Sequence, residues 1–343
     1  MVRRILFVTN SLTGGGAERA MNLAANELFE RKWPVAFAPI NSSEPDFVEL
    51  NCKVFPLNRQ WRGGLLNTIR AFLRFHHVIY SWKPNVIVLT CALPELFGAF
   101  LFSQRNLVIV EEANVPWGTR VALGRIVRKI LGLRGAIWVA ASSHLTIWPN
   151  GRTPQAVLPN ALAPFASPKE LTNTSSDLHR LTYVGRLSAE KRPEWFIEIC
   201  RRSDTPGKIM GDGLLKESLM ELVSAKNLDI EFSGFVHDPW SQIQTGDLLI
   251  IPSTSEGDGL VVVEGLKANA PMLVADIAEL RHFGLPEKHY CKDLSDFDAR
   301  INEYRGNLAS LIVPDEVKNI ILATRSPKVV GDAWENFLNS IYQ

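Results

Sequence analysis

The chain has little that would indicate a metalloprotein, a disulfide-stabilised secreted domain or a membrane-spanning protein. Its 343 residues include only 4 cysteines, none of them at the spacing of a metal-ligand pair, so neither a zinc site nor a disulfide framework is expected. The most apolar longer run, 84–104, is interrupted by Pro94 and Glu95 and predicts a buried strand, a turn and a helix rather than a membrane span. The apolar run near the amino terminus is too short for a signal-peptide core. We therefore expect a cytoplasmic protein.

Net charge is also nearly absent, because 37 Lys and Arg balance 36 Asp and Glu. The balance conceals an asymmetry between the two halves of the chain. Residues 1–165 hold 18 basic and 9 acidic side chains, a charge of +9, whereas the remainder holds 19 and 27, a charge of −8. Two tracts, 50–94 and 113–169, contain no acidic residue. The basic half predicts an anionic partner that the overall charge does not reveal.

Length and hydrophobic pattern predict two doubly wound α/β domains. A chain of this length exceeds what one core usually serves, and short apolar runs typical of buried parallel strands alternate with helical patterns. We predict strands at 4–8, 35–39, 53–56, 86–89, 107–110, 137–140, 156–158, 181–184, 207–210, 230–233, 248–251, 272–275 and 290–291, with the clearest helices at 16–32, 66–80 and 118–133. A turn-rich linker, 166–178, would join a first domain, 1–165, to a second, 179–328, and a last helical segment, 329–343, can cross back onto the first domain.

The turn after the first predicted strand is rich in glycine and reads Thr9-Asn-Ser-Leu-Thr-Gly-Gly-Gly-Ala-Glu-Arg19. Consecutive glycines allow the backbone to approach a ligand, and the helix that follows offers N–H groups to an anion; the alternative is a tight turn without a ligand. A dinucleotide fingerprint does not fit, because Arg19 stands at its third glycine position and the second strand ends without an acidic residue. An NAD-dependent enzyme is therefore not expected.

Two cations follow the first strand of the second domain, in the sequence Gly185-Arg186-Leu-Ser-Ala-Glu-Lys191. At the carboxyl end of a parallel strand they can clamp a diphosphate, with the arginine as a planar fork and the lysine as a point charge. The alternative is a solvated turn in which they pair with Glu190 or Glu194.

The segment 251–267 places two carboxylates around a predicted turn from strand to helix. Glu256 lies in the turn and Glu264 in the first helical turns, with the N–H groups of Gly259 and Leu260 between them, so the segment can hold both a phosphate and sugar hydroxyls. The alternative is that both glutamates only favour a helix amino terminus.

The order and spacing of these motifs resemble those of the retaining glycosyltransferases of family 4. The GT-B fold of that family consists of two Rossmann-like doubly wound domains facing a central cleft. The resemblance covers nearly the whole chain. It is carried by five segments: Gly14-Gly15-Gly16-Ala17-Glu18, Gly185-Arg186 with Lys191, Gly211-Asp212-Gly213, Phe232-Ser-Gly-Phe-Val236 and Glu256 through Glu264.

The resemblance implies a role for each matched position. Arg186 and Lys191 would neutralise the donor diphosphate, and Glu256 would hold the hydroxyls of the transferred sugar, so these three form the expected catalytic set. The expected donor-binding residues are Gly15, Gly16, Gly185, Gly211, Gly213, Phe235, Val236, Asp258, Gly259, Leu260 and Glu264. No metal or other cofactor is expected, because Arg, Lys and helix N–H groups already stabilise the charge on the departing nucleoside diphosphate.

The sequence departs from the family pattern at two positions. Ala113 stands where many members carry a histidine, which leaves Glu112 or Asn114 as candidates for a role toward the acceptor. Asn269 stands where glycine is common, and because asparagine tolerates a left-handed backbone we expect the turn to survive. The implied mechanism retains the anomeric configuration through an oxocarbenium-like state, without a covalent nucleophile.

The helix predicted at 118–133 places Arg125, Arg128 and Lys129 on one side, opposite an apolar face. Such a helix can lie on an anionic membrane surface; alternatively, its apolar face packs on the sheet and its basic face is solvated. Aromatic residues within the two acid-free tracts favour the membrane. Nucleic acid is not expected as a partner, because sugar-nucleotide motifs explain the acidic half of the chain.

The sequence therefore predicts a hexosyltransferase at the inner face of the plasma membrane. It would move a sugar from a nucleotide-sugar, expected to be a UDP-sugar, to a lipid-linked or cell-envelope glycan acceptor, as in polysaccharide or lipopolysaccharide biosynthesis. Two alternatives remain open. A sugar-nucleotide epimerase of the same fold would need no acceptor, and a non-catalytic nucleotide-sugar-binding protein would neither transfer nor hydrolyse its ligand.

Overall fold

The computed structural model describes residues 3–12, 15–42, 50–61, 63–101, 106–114, 116–162 and 177–342. The chain divides into two compact units, one comprising Met1–Ala163 and Thr324–Gln343 and the other Pro164–Ala323. The second unit thus ends at Ala323, before the predicted boundary at 328, and most of the predicted linker lies outside the described residues. Within the described ranges, no helix is both long and apolar enough to cross a bilayer.

The first unit is built on seven parallel strands. These are β1 (Ile5–Thr9), β2 (Val35–Pro39), β3 (Lys53–Val54), β4 (Val86–Thr90), β5 (Asn106–Glu111), β6 (Ile137–Ala140) and β7 (Ala156–Val157), and the helices are α1 (Gly16–Glu30), α2 (Leu65–Trp82), α3 (Ala92–Ala99), α4 (Val121–Leu133) and, from the end of the chain, α11 (Pro327–Ser340). The strand order is β3-β2-β1-β4-β5-β6-β7. All seven predicted strands are confirmed, and the helix predicted at 118–133 begins with a 3-10 turn, Gly118–Arg120.

Successive side chains of β1 point to opposite faces of the first sheet, and each face is covered by a layer of helices. Leu6 and Val8 share a buried cluster with residues of α2, α3 and α4, among them Phe75, Phe97 and Val127. Those three helices therefore cover one face of the sheet. Phe7 points to the other face, where its ring centroid lies 5.4 Å from that of Trp334 in α11, and α11 packs along α1.

The second unit is built on six parallel strands. These are β8 (Arg180–Val184), β9 (Gly207–Met210), β10 (Ile230–Gly234), β11 (Asp247–Ile251), β12 (Met272–Ala275) and β13 (Tyr290–Cys291), and the helices are α5 (Pro193–Ser203), α6 (Lys216–Ala225), α7 (Leu260–Lys267), α8 (Ala278–Arg281), α9 (Leu294–Tyr304) and α10 (Asp315–Ala323). All six predicted strands are confirmed. Between α7 and β12, Asn269 has a φ of 52°, so the expectation of a left-handed asparagine in this turn is also confirmed.

The strand order of the second sheet is β10-β9-β8-β11-β12-β13. The order reverses between β8 and β11, because the chain leaves β8 in one direction and returns to its other side at β11. In open parallel sheets such a switch point creates a crevice at the carboxyl ends of the two strands, where ligands bind. Of the predicted site residues, Gly185, Arg186 and Lys191 follow β8, and Glu256 through Glu264 follow β11.

Candidate active site

The turns after β8 and β11 lie side by side at the switch point of the second sheet. They are joined by main-chain contact, since the N–H of Thr254 donates to the carbonyl of Glu190 at 2.8 Å. The turn after β8 begins at Gly185 and Arg186, and the turn after β11 carries Glu256. Residues that are far apart in the sequence are thereby brought to one edge of the sheet.

Lys191 and Glu256 form an ion pair across this switch point. The Lys191 Nζ donates to Glu256 Oε2 at 2.6 Å, and the hydroxyl of Ser253 donates to Glu256 Oε1 at 2.7 Å. Glu256 is buried, while the Lys191 side chain is 25% exposed. Lys191 therefore does not make the alternative pair with Glu190 or Glu194 that the sequence left open. A charge-assisted bond fixes its ammonium group at the carboxyl end of the sheet.

Arg186 is an exposed side chain at the end of β8. Its backbone carbonyl accepts a hydrogen bond from the Tyr183 hydroxyl at 2.9 Å, which fixes the chain where it leaves the strand. The pKa of Glu190 lies below its ordinary value: burial raises it, but the hydrogen bond from Ser188 and the charges of Lys191 and Arg186 outweigh this effect. Arg186 and Lys191 therefore lie close enough to this turn to favour the ionised form of Glu190.

The glycines after β9 allow two turns to pack against each other. A Cβ atom on Gly211 would lie 1.8 Å from the Gly185 carbonyl oxygen, and one on Gly213 would lie 2.4 Å from that of Leu187. A side chain at either position would displace backbone. Packing of the two turns therefore explains both glycines, and donor contact at these positions stays a prediction.

Helix α7 begins directly after the loop that carries Glu256. Gly259 precedes its first residue with a φ of 63°, and a Cβ atom there would lie 2.7 Å from the ring of Phe283, so both backbone and packing require glycine. Asp258 is buried beside it. The N–H groups at the start of α7, including that of Leu260, have no acceptor within the helix, and this helix end therefore favours an anion.

Glu264 lies one turn inside α7 and is buried. Its Oε2 accepts a hydrogen bond from the indole N–H of Trp240 at 3.0 Å. Sequence reasoning did not identify Trp240, although its position directly after Asp238 and Pro239 indicates a turn. Phe235 and Val236 follow β10 and line a surface depression together with His237, Asp238 and Ser241.

The glycine turn of the first unit differs from the prediction in one respect. Gly15 precedes α1 with a φ of −111°, and its N–H donates to the carboxylate of Glu18 at 3.1 Å. This N–H therefore already has an anionic acceptor within the chain. Contact of Gly15 and Gly16 with a diphosphate stays a prediction, and Gly14 lies outside the described residues.

Polar side chains gather at the carboxyl ends of β4, β5 and β7 in the first unit. Glu112 follows β5 and accepts a hydrogen bond from Asn160 Nδ2 at 3.0 Å. Cys91 follows β4 with a φ of 73°, a strained value for a residue other than glycine. Burial, together with the nearby charges of Glu18 and Glu112, raises the pKa of the Cys91 thiol well above its ordinary value. Cys91 and Asn160 were missed, although each stands just beyond a predicted strand.

Asn114 lies two residues beyond Glu112 on the same turn and is partly buried. The turn is therefore placed as expected for the edge of a parallel sheet, where ligands bind. A role of Glu112 or Asn114 toward an acceptor stays a prediction.

The prediction for α4 is wrong at Arg128. This residue is 4% exposed, and its guanidinium lies 2.5 Å from a carboxylate oxygen of Glu95 and 2.5 Å from one of Glu111. Two buried carboxylates require a buried cation, and this requirement turns Arg128 toward the sheet. Arg125 and Lys129 are exposed as predicted. The rotation of the helix places three residues of its apolar set on the outer side, Leu123, Ile126 and Leu133.

Comparison with known proteins agrees with this geometry. Residues 169–284 match the family model described as glycosyl transferases group 1. An uncharacterized glycosyltransferase of Haemophilus influenzae is 25% identical over 290 residues, which are 78% of this chain and 78% of that protein. Two further matches are shorter. Alpha-D-kanosaminyltransferase of Streptomyces kanamyceticus is 32% identical over 104 residues, 28% of this chain and 27% of that protein, and O-antigen biosynthesis glycosyltransferase WclY of Escherichia coli is 37% identical over 71 residues, 20% of each.

The fold is shared along the whole chain with a solved glycosyltransferase-fold structure. The crystal structure of Anabaena HepE in complex with UDP and glucose matches with a TM-score of 0.77 and 15% sequence identity, covering 98% of this chain and 100% of that one. The two parallel-sheet units therefore have the fold of the GT-B glycosyltransferases, and residues 169–284 of the chain resemble group 1 glycosyl transferases in sequence. The names of the matched family and relatives support a glycosyltransferase enzyme.

Proposed function

We propose that this protein is a family 4 glycosyltransferase that moves a hexose from a UDP-sugar to a glycan acceptor with retention of anomeric configuration. The observation that carries the proposal is the Lys191–Glu256 pair at the switch point of the second sheet. It holds a cation and a sugar-binding carboxylate together where a parallel sheet binds its ligand. The nucleotide is proposed from the UDP in the HepE structure.

In the proposed site, Lys191 and Arg186 stabilise the diphosphate as it departs with negative charge. The start of α7, at Gly259 and Leu260, adds main-chain N–H donors. Glu256 contributes one carboxylate oxygen to Lys191 and the other to Ser253. Because each oxygen has two lone pairs, both can still accept a hydroxyl of the transferred sugar. Glu264, anchored by Trp240, is proposed to bind the ribose.

The proposed reaction breaks the bond between the anomeric carbon and the diphosphate and forms a bond from the acceptor oxygen on the same face of the sugar. The leaving UDP takes the bonding electron pair, and Arg186 and Lys191 neutralise it. The acceptor hydroxyl passes its proton to the departing diphosphate oxygen as the new bond forms. Because attack and departure occur on the same face, the anomeric configuration is retained through an oxocarbenium-like state, without a covalent sugar–enzyme intermediate.

Donor binding is tested by thermal unfolding. UDP and UDP-glucose are expected to raise the melting temperature, since a ligand at about 100 times its Kd stabilises a folded protein by about 2.7 kcal/mol. The shift is expected to shrink strongly in R186A and K191A. Equal shifts in both variants and in the unmodified protein would place the nucleotide elsewhere.

Metal independence is proposed because two cationic side chains and a helix start already face the proposed diphosphate position. Among the described residues, no group of three or more His, Cys, Asp and Glu side chains is arranged to hold a metal ion. Transfer is therefore expected to continue unchanged after chelation with EDTA. A loss of transfer that added Mg²⁺ restores would contradict this part of the proposal.

The acceptor is proposed to be a lipid-linked or cell-envelope glycan at the cytosolic membrane face. Two observations support it: the relative in O-antigen biosynthesis and the excess of basic residues up to Phe165. The experiment is product analysis with and without a lipid-linked glycan. Acceptor-dependent release of UDP, with the donor's anomeric configuration in the product by NMR, is the expected result. Conversion of one UDP-sugar into another without acceptor would indicate an epimerase, and binding without any turnover would indicate a sensor.

A further inference from the structure

Helix α2 exposes a stripe of large apolar side chains. Its inner side packs on the sheet through Ala71, Phe75, Val78 and Ile79. On the outer side, Leu65, Leu66 and Leu73 are 76%, 72% and 61% exposed, and Ile69 and Tyr80 are exposed as well. At 100° per residue these five fall within roughly one third of the helix circumference. The helix is therefore apolar on two sides, and the described residues of the first unit cover only the inner one.

Helix α4 exposes a second apolar set on the same helical layer. Leu123, Ile126 and Leu133 face outward because Arg128 occupies the buried side. Helix α3 lies between α2 and α4: the ring of its Phe97 is 5.3 Å from that of Phe72 in α2, and α3 packs along α4. We call the outer sides of α2 and α4 the docking surface. It consists of Leu65, Leu66, Ile69, Leu73, Tyr80, Leu123, Ile126 and Leu133, with the cations Arg70, Arg74, Arg125 and Lys129.

The charge of this layer has one sign. Helices α2, α3 and α4 contain a single acidic residue, Glu95, which is buried against Arg128. The four cations of the docking surface are exposed. The opposite layer is different, since Arg31 of α1 pairs with Asp332 and Glu335 of α11. These three helices contribute five cations and one carboxylate, a charge of +4, and so carry part of the basic excess of the first half of the chain on the layer that also exposes leucines.

We propose that the docking surface binds an anionic lipid bilayer, with its leucines inserted at the boundary between head groups and acyl chains. Exposed leucines bordered by cations suit this occupant, because apolar insertion and attraction to anionic lipids add to each other. A second copy of the chain is a poorer partner, since two faces of the same charge repel. The inference rests on the membrane location in the proposed function and names the surface responsible for it. It differs from the sequence prediction because Arg128 takes no part and α2 contributes most of the inserted surface.

The test is flotation of the full chain with vesicles. The protein is expected to float with vesicles of equimolar phosphatidylethanolamine and phosphatidylglycerol but not with pure phosphatidylcholine. The variant L65Q/L66Q/L73Q is expected to bind the anionic vesicles more than about tenfold more weakly, because it removes three inserted leucines. Glutamine has nearly the helix propensity of leucine, so α2 is expected to remain folded. R125E/K129E is also expected to weaken binding about tenfold or more, since each cation near an anionic surface contributes about 1 kcal/mol.

A matched control removes exposed apolar side chains from the other unit. L214Q/I320Q alters two comparably exposed positions and is expected to bind vesicles like the unmodified protein. Three results would overturn the inference: no flotation of the unmodified protein with anionic vesicles, unchanged flotation of L65Q/L66Q/L73Q, or a solution dimer that this variant converts to monomer. Transfer to a detergent-dispersed acceptor is measured in parallel. If the protein floats normally with anionic vesicles but transfers no sugar, the result would count against the proposed reaction and not against the docking surface.

Discussion

Replacement of Glu256 by alanine is expected to lower kcat for sugar transfer by at least about 10²-fold, the usual cost of removing one preorganised polar group from a transition state. The variant loses the proposed acceptor of sugar hydroxyls. It also releases Lys191, whose ammonium is held by Glu256 at 2.6 Å. Transfer is measured as acceptor-dependent release of UDP at saturating donor. Thermal unfolding measured beside it separates loss of catalysis from loss of fold.

Double variants distinguish these two roles of Glu256. If Glu256 acts partly through Lys191, then E256A/K191A is expected to be little slower than the more damaged single variant, because residues in contact are not additive. Arg186 is expected to behave differently, since it neutralises the diphosphate from the end of β8. The effects of R186A and E256A are therefore expected to multiply.

An ion pair outside the site provides the matched control. Arg201 and Glu198 pair at 2.6 Å on the exposed side of α5 in the same unit, and R201A/E198A is expected to transfer sugar at the normal rate. Near-normal transfer in both E256A and R186A, with the control also normal, would refute the proposed site. Equal loss in the control would show that any disturbance of the second unit slows the enzyme.

The strands could be predicted because a parallel strand covered on both faces leaves a local signature. Runs such as Leu248–Ile251 and Met272–Ala275 are apolar at every position, and a segment of that length without polar alternation rarely suits another structure. Both were placed within one residue of β11 and β12. The rotation of α4 could not be predicted in the same way. The rotation depends on the contacts of Arg128 with Glu95 and Glu111, which belong to α3 and β5. A helical wheel of α4 shows only the residues of α4 and so cannot reveal these contacts.

The site was partly predictable for a similar reason. Arg186, Lys191 and Glu256 could be selected because each follows a predicted strand, and the carboxyl edge of a sheet is where ligands bind. The contact between Lys191 and Glu256 depends on β8 and β11 being neighbours, and no local pattern encodes strand order. The same holds for the hydrogen bond from Trp240 to Glu264. Gly211 and Gly213 are the opposite case. Their motif was recognised in the sequence as a donor-binding turn, but in the structure the close packing of two turns is enough to explain why both residues are glycine.

Replacement of Arg128 by methionine is expected to destabilise the first unit by about 3–5 kcal/mol, the usual cost of removing one partner from a buried ion pair. The guanidinium contacts both Glu95 and Glu111 and also donates to the Trp148 carbonyl at 2.8 Å. Without it, two carboxylates remain buried with no cation. Urea unfolding followed by tryptophan fluorescence is the measurement. R125M and K129M, on the exposed side of the same helix, are the matched controls and are expected to unfold like the unmodified protein.

The pH dependence identifies the cause of this loss. Burial raises the pKa of Glu111 above its ordinary value even beside Arg128, and removal of the cation is expected to raise it further. Between the unfolded and folded pKa values, the folded R128M binds a proton that the unfolded chain has lost, so its stability falls as pH rises through that window. The deficit of R128M is therefore expected to be smaller at pH 5 than at pH 7. Because E95Q/E111Q/R128M has no buried charge in this cluster, it is expected to recover much of the lost stability. A deficit independent of pH that the two glutamines do not relieve would mean that Arg128 stabilises α4 by packing alone.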